Sequence, residues 1–495
     1  MNDFISKINE NKFNLILCLL ISLSITKALG AEHRNYILTI SILFLALIIM
    51  SSLPLLKKFL ISPLLIISTL YLPIGYYYGS PSMPLFASFF ESNPEEINEF
   101  IKNFPLNFTP FFIFNLLLVF IYIKTKFKKI TNSKILILLS FILLTQSPFK
   151  NFFENSKHGI ISYHNQRIEL SKSIKSVDLK ITKINNKKKN YVVVIGESQR
   201  RDYMSLYNYS LNTTPFLNNA NGIFINGYKS TAPNTISSLT RTLSLSNGLT
   251  YKPEENIVAF ANQAGMETYW ISNQGKMGVW DTLISKFAMQ SKHTDFLKSG
   301  DFAHSFNYHD SDLLPLFGKA LSDKKNKSKL IVLHLMGSHP KFCERIKKDY
   351  FNLSDKDLSC YLSSYVEFDS LMKEIVVKLN RSHEPYELIY FSDHGLGNVN
   401  HNGENIKMIH TTDKISSYDV PFFIMSDDIS MHKVVNKNLS AYHFISIFLN
   451  IIGVESELVK SESINQVQEE EIKVYNFSKM IEVNKLKNDP AVEPI

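Results

Sequence analysis

Tyr191-Val192-Val193-Val194-Ile195, followed at once by Gly196-Glu197-Ser198, is the stretch on which the fold turns. Five apolar, largely β-branched residues without a polar break specify a short strand buried on both faces, the habit of a strand inside an α/β sheet. Glu197 then stands at the strand's carboxyl end, where sheets of this class gather functional groups. Comparable runs recur at residues 267–271, 330–335, 388–391 and 420–425, with a further strand at 222–228. Segments 312–321 and 363–378 read as helices. Strands alternating with helices predict an α/β layered domain with a mostly parallel central sheet over residues 191–495.

Polar, metal-capable side chains recur just past these strands. Asp393 and His394, in Ser392-Asp393-His394-Gly395, offer one oxygen and one nitrogen donor to a single cation, with a glycine for the sharp exit. His334 and His339 fall at another strand end, in His334-Leu335-Met336-Gly337-Ser338-His339. Taken singly, each has an ordinary explanation: many strands end in a glutamate, and a lone histidine is usually a packed one. Together, Glu197, Asp393 and His394 supply three protein ligands and leave a fourth position open, the layout of a catalytic zinc site. A hydroxyl at that position is the expected nucleophile, because an unassisted Ser or Thr does not ionise near neutrality. Residues 230–240 offer Ser230, Thr231, Thr235, Ser237, Ser238 and Thr240, and side-chain chemistry alone does not choose among them.

The chain before Phe149 is of a different kind. Apolar residues make up 45% of the whole sequence, an ordinary fraction, but the long apolar runs gather at 13–29, 36–56, 59–77, 108–123 and 130–146. Most approach the roughly 20 residues that a helix needs to cross a hydrocarbon core. Lys7 and Lys12, then Lys57 and Lys58, then Lys124, Lys126, Lys128, Lys129 and Lys134 mark alternate loops, and the intervening loops are poor in positive charge. The positive-inside rule places the amino terminus in the cytoplasm, and five spans then place everything after Phe149 outside. The first run lacks a small-residue cleavage site and reads as an anchor, not a removable signal. The expected organisation is a five-span region over 1–149, an interfacial or linker segment over 150–190, and an exported domain over 191–495. Within 150–190 an amphipathic surface helix and a plain solvated linker are both open. The formal charge of +8 sits largely in clusters beside the apolar runs, without a basic helix or aromatic RNA-binding signature, which excludes a nucleic-acid partner. Cys343 and Cys360, if outside the cytoplasm, are candidates for a disulfide.

These residues together resemble the phosphoethanolamine transferases of the alkaline phosphatase/sulfatase superfamily, over essentially the whole chain. The family's Gly-Glu-Ser/Thr strand end is similar to Gly196-Glu197-Ser198, its His-x-x-Gly-Ser-His motif to 334–339, and its Ser-Asp-His-Gly motif to 392–395. The resemblance selects Thr235, in Pro233-Asn234-Thr235-Ile236, as nucleophile and metal ligand beside Glu197, Asp393 and His394. It adds His410, upstream of Val420-Pro421, with His401 as the rival, and leaves a second metal beside the zinc open. His334, His339 and His410 would orient the phosphoryl group or move protons. Gln274, in Trp270-Ile271-Ser272-Asn273-Gln274, resembles a family strand end whose polar residues line the site. Ser92 and Glu96, in an outer loop, resemble a stretch that holds the lipid donor; a solvated acidic loop is the alternative.

The resemblance implies transfer of phosphoethanolamine from phosphatidylethanolamine to a lipopolysaccharide or periplasmic glycan acceptor, through a covalent phosphoethanolamine-threonine, by an inner-membrane enzyme with a periplasmic catalytic domain. Lipid A-acting members usually carry cysteines around the nucleophile; 231–249 has none, and Trp280 stands where a cysteine is common. In this the chain looks more like relatives acting on core sugars or glucans. The alternatives are a glycerophosphotransferase of the lipoteichoic-acid-synthase type, using phosphatidylglycerol, and a non-catalytic membrane scaffold. A sulfatase activity is disfavoured by the lack of a Cys/Ser-x-Pro-x-Arg motif.

Overall fold

In the computed structural model the residues described are 11–26, 29, 36–78, 80–81, 85–86, 90, 108–127, 138–139, 142–143, 146–172, 174–278, 281–298, 300, 308–324, 327–398, 406–468 and 471–493. The chain forms two compact units, Met1–Arg167 and Ile168–Ile495.

The first unit is helical. Pro54–Tyr76, at 23 residues, is the one helix among the described residues long and apolar enough to cross a membrane. Lys12–Thr26, Tyr36–Ser51 and Thr109–Lys124 are apolar but only 15, 16 and 16 residues long. At 1.5 Å per residue, sixteen residues reach about 24 Å, short of a hydrocarbon core about 30 Å thick. Of the five expected spans, one reaches full length among the described residues, and most of the fifth apolar run lies outside them. The third span also begins earlier than expected, because Pro54 suits a helix start and Lys57 and Lys58 are taken into the helix. Within an apolar core, Asn14, Ser22, Thr69 and Asn115 are also buried, while Phe13, Ile37, Leu55, Phe59, Leu70 and Phe120 are exposed.

The helix Pro148–Ser171 follows, and Ile181–Ile184 pairs antiparallel with Val454–Ser456, so the end of the segment expected to be a linker is a strand of the second unit.

The second unit is a layered α/β domain on an eight-stranded sheet. We label its strands β1 (Asn190–Gly196), β2 (Gly222–Lys229), β3 (Glu267–Gly275), β4 (His293–Lys298), β5 (Lys329–His334), β6 (Tyr386–Ser392), β7 (Phe422–Ser426) and β8 (His432–Ser440). Their order across the sheet is β8-β2-β7-β6-β1-β5-β3-β4. The sheet is mixed: β7 runs antiparallel to both β2 and β6, while the other neighbouring pairs are parallel. The reversal follows from the chain path, since Val420-Pro421 delivers β7 from the edge at which β6 ends. β1 explains why an uninterrupted apolar run was needed. Val192 and Val194 point into one core with Leu333, Tyr365 and Leu388, whereas Tyr191, Val193 and Ile195 point into the other with Trp270, Phe391 and Phe448. Cys343 and Cys360 form a disulfide that ties the loop after β5 to the long helix Lys356–Ser382.

Candidate active site

β1, β5 and β6 run parallel and end side by side, with Gly196 opposite Ser392 and Ile195 opposite His334. This register delivers Glu197, His334 and the Asp393-His394 pair to one edge of the sheet. Glu197, Asp393 and His394 are 1%, 1% and 0% exposed, and their ligand atoms lie within 4.8 Å of one another. Local geometry aims each of them. Ser198 adopts a left-handed backbone (φ +58°), which turns the chain sharply after Glu197, and its N–H donates to Asp393 Oδ1 at 3.1 Å. His394 Nδ1–H donates to the Gly395 carbonyl at 2.8 Å, which directs Nε2 toward the two carboxylates, 3.3 Å from Glu197 Oε1 and 3.4 Å from Asp393 Oδ2.

Two buried acids so close to one imidazole are a poor arrangement by themselves. Burial, then the charge of Glu197, pushes the Asp393 carboxyl up to about 8. Burial opposes ionisation of His394, but Asp393 and Glu197 outweigh it and raise its imidazolium to about 9. Asp393 Oδ2 is buried without a hydrogen-bond partner. A divalent cation among these atoms would displace the imidazole proton, neutralise the acids and occupy that oxygen. The donor set, two carboxylates and one imidazole, fits such an ion.

Thr235 completes the constellation. It opens the helix Thr235–Thr242, capped by Asn234, whose side chain accepts the Ser237 N–H at 3.0 Å. Its hydroxyl lies 3.1 Å from Glu197 Oε2 and 3.3 Å from His394 Nε2. Neighbouring hydroxyls are turned to backbone carbonyls: Ser230 to Ala232, Thr231 to Ser238, Ser238 to Asp393, and Thr240 to Ile236. Thr235 thus presents its hydroxyl to Glu197 and His394, while these four neighbours face the backbone.

A cavity of about 370 Å³ opens beside Thr235 and is also lined by Gln274, His334, His339 and His410. Burial pushes His334 down to about 4, and its Nε2 is buried without a hydrogen-bond partner. His410 is likewise pushed down to about 4, first by burial and then by nearby His394, against whose ring it packs edge-on at 4.7 Å. Burial lowers His339 as well. His410 Nδ1–H donates to the Pro233 carbonyl at 3.0 Å, fixing the loop that carries Thr235. Gln274 Nε2 donates to the Leu335 carbonyl at 2.8 Å and to Glu197 Oε2 at 3.4 Å. Ser92, Glu96, Trp280 and His401 lie outside the described residues.

Two contributors were not foreseen. Asp310 accepts the N–H groups of Met336 and Gly337, both at 2.8 Å, and the Asn273 amide at 2.8 Å, so it fixes the loop between His334 and His339. A single acid in a polar segment gives no sequence signal for that task. Asn234 had one: Asn directly before a helical run is a capping signature.

A model of the sulfatase family matches residues 189–454. The chain is 29% identical over 499 residues to the phosphoethanolamine transferase OpgE of Escherichia coli strain K12, covering 94% of both chains. A Haemophilus influenzae protein provisionally named a phosphoethanolamine transferase is 34% identical over 68% of this chain and 73% of its own. The C-terminal periplasmic domain of EptC from Escherichia coli, solved in complex with zinc, has a TM-score of 0.55 at 23% identity and covers 63% of this chain and 98% of that one, a likeness of fold.

Proposed function

The chain belongs to the sulfatase family, among its phosphoethanolamine transferases, and we propose that it moves phosphoethanolamine from phosphatidylethanolamine to a lipopolysaccharide or periplasmic glycan acceptor by way of Thr235. The observation that carries this reading is the Thr235 hydroxyl, held within 3.3 Å of both Glu197 and His394 at the edge of the cavity.

Glu197, Asp393, His394 and Thr235 would hold a zinc ion, which when bound supplies Lewis acidity that favours an ionised hydroxyl. In the first half-reaction Thr235 Oγ1 forms a bond to phosphorus while the bond from phosphorus to the glycerol oxygen breaks. The threonine proton passes to a neutral cavity imidazole, His339 or His410, and from the imidazolium so formed to the departing glycerol oxygen, which leaves as diacylglycerol. In the second half an acceptor oxygen takes the phosphorus, and the threonine hydroxyl is restored. Burial keeps His334, His339 and His410 neutral near pH 7, so each offers an unprotonated ring nitrogen to the site. Gln274 keeps Glu197 aimed and borders the space for the phosphoryl oxygens.

A membrane setting suits a lipid donor. Buried polar and exposed apolar side chains in the first unit are what a bilayer solvent selects. Lysine placement supports five spans with the amino terminus in the cytoplasm and the catalytic domain in the periplasm of the inner membrane. The Cys343–Cys360 disulfide suits an oxidising compartment. Ser92 and Glu96 are assigned to donor binding, and the part of 150–190 ahead of the strand Ile181–Ile184 to the interfacial connection.

The test is to incubate the purified full-length enzyme with phosphatidylethanolamine and map adducts by mass spectrometry. A phosphoethanolamine mass on Thr235, lost in Thr235→Ala, is expected. A glycerophosphate adduct formed from phosphatidylglycerol instead would give the reaction to the other donor class.

A further inference from the structure

The C-terminal hairpin, Lys473–Tyr475 paired with Met480–Glu482, brings to the catalytic cavity a side chain that the chemistry above does not use. Phe477, in its turn, lines the cavity with Thr235 and His410 yet is 44% exposed. Its φ is +74°, a left-handed backbone that is strained for a bulky side chain and that glycine or asparagine would adopt at lower cost. A turn needing only to reverse the chain gains nothing from phenylalanine there.

The turn is held by other groups. Tyr475 N–H donates to the Thr231 carbonyl at 2.8 Å, and the Arg241 guanidinium, from the helix that Thr235 opens, stacks 3.9 Å from the Tyr475 ring centroid. The Tyr475 hydroxyl donates to the Phe477 carbonyl at 2.9 Å, and Asn476 Oδ1 accepts the N–H groups of Ser478 and Lys479 at 3.3 and 3.0 Å. The ring is therefore presented at the rim of the cavity by a turn fastened to the nucleophile's own surroundings.

Its immediate neighbours indicate what it meets. Asn476, Ser478 and Lys479 are polar, and Ser478 and Lys479 are exposed. A loop that dips into acyl chains would surround its aromatic residue with apolar ones. One aromatic face flanked by an amide, a hydroxyl and an ammonium suits a hydroxylated ring whose C–H face is apolar and whose edge makes hydrogen bonds. We propose that Phe477 is a specificity-determining residue of the acceptor subsite, stacking on a sugar ring of a glycan while Asn476, Ser478 and Lys479 flank its polar edge. This rests on the transferase reading above. The stacked sugar presents a hydroxyl whose oxygen bonds to phosphorus as the phosphorus bond to Thr235 Oγ1 breaks; the hydroxyl's proton ends on Thr235.

The test uses the full-length enzyme in detergent, loaded from phosphatidylethanolamine, with two acceptor probes: lipid-free core oligosaccharide and a glucan oligosaccharide. Phe477→Ala should raise the KM of at least one glycan about tenfold in the discharge step, and Phe477→Trp should restore it to near the wild-type value. A glycan KM that stays at the wild-type value for both probes, or a rise in the phosphatidylethanolamine KM of the loading step in its place, would overturn the proposal. Tryptophan emission of Phe477→Trp, taken as a difference from wild type, should shift on adding the glycan; no shift with either probe also overturns it. If that emission responds while wild type forms no Thr235 adduct, the subsite stands and the transferase reading falls.

Discussion

Gly337 lies so close to Glu197 that a methyl group built on it would stand 2.8 Å from the Glu197 carbonyl oxygen and 2.9 Å from its amide nitrogen. Gly337 also has a left-handed backbone, with φ +50°. The loop carrying His334 and His339 thus packs directly on the backbone of a candidate metal ligand. Gly337→Ala should push Glu197 out of place and add backbone strain, lowering stability by about 1 to 3 kcal/mol. Thermal unfolding and zinc content of the purified variant check this; a variant with full metal content and an unchanged melting temperature would contradict the contact.

Metal removal should abolish transfer and zinc should restore it. Asp393→Asn should fold, yet bind zinc more than about 100-fold less tightly, since even outer partners of a metal site cost 10- to 100-fold. Elemental analysis across a series of buffered free zinc concentrations gives the affinity directly. Equal affinity in variant and wild type would remove Asp393 from the ligand set.

Asp419 bridges Arg201 at 2.7 Å and Lys229 at 2.6 Å, joining the segment past Glu197 to the end of β2. Burial opposes its charge, but the two cations outweigh it and bring the carboxyl down to about 2. A value below that of an unfolded aspartate means stability that is complete above about pH 4 and lost as pH falls toward 2, on the order of 2 kcal/mol. Asp419→Asn should flatten that dependence and cost about 3 kcal/mol at neutral pH, because buried Lys229 and half-buried Arg201 lose their partner. Melting temperatures of both proteins between pH 2 and 7 test the sign and the window.

The disulfide closes a loop between residues 17 apart in sequence, from the turn beyond His339 to the helix Lys356–Ser382. Replacing Cys343 and Cys360 together with alanine should lower stability by about 3 kcal/mol. Transfer activity well below the melting temperature should persist, since neither sulfur reaches the cavity. Activity lost in a variant that keeps its melting temperature would show that the bridge positions the His339 loop for catalysis.

Much of the architecture is written in local sequence. The apolar run ahead of Glu197 had to be a strand buried on two faces, and its alternating residues do feed two cores. The ligand types at strand ends were legible for the same reason, since a parallel sheet carries such ends to one edge. The sequence also marked residues 1–149 as apolar in long runs, but helix lengths depend on where each backbone stops, and among the described residues one helix is long and apolar enough to cross a membrane.

Contacts between distant segments decided the rest. The resemblance named Thr235 as the candidate; that Thr231 and Ser238 turn their hydroxyls to backbone carbonyls while Thr235 faces Glu197 and His394 is visible only in the tertiary structure. The direction of β7, the role of Asp310 and the display of Phe477 each rest on partners tens to hundreds of residues away. Local sequence fixes which side chains a segment offers and which face they occupy; only packing decides which of them meet, because meeting depends on register and loop paths that no short stretch encodes.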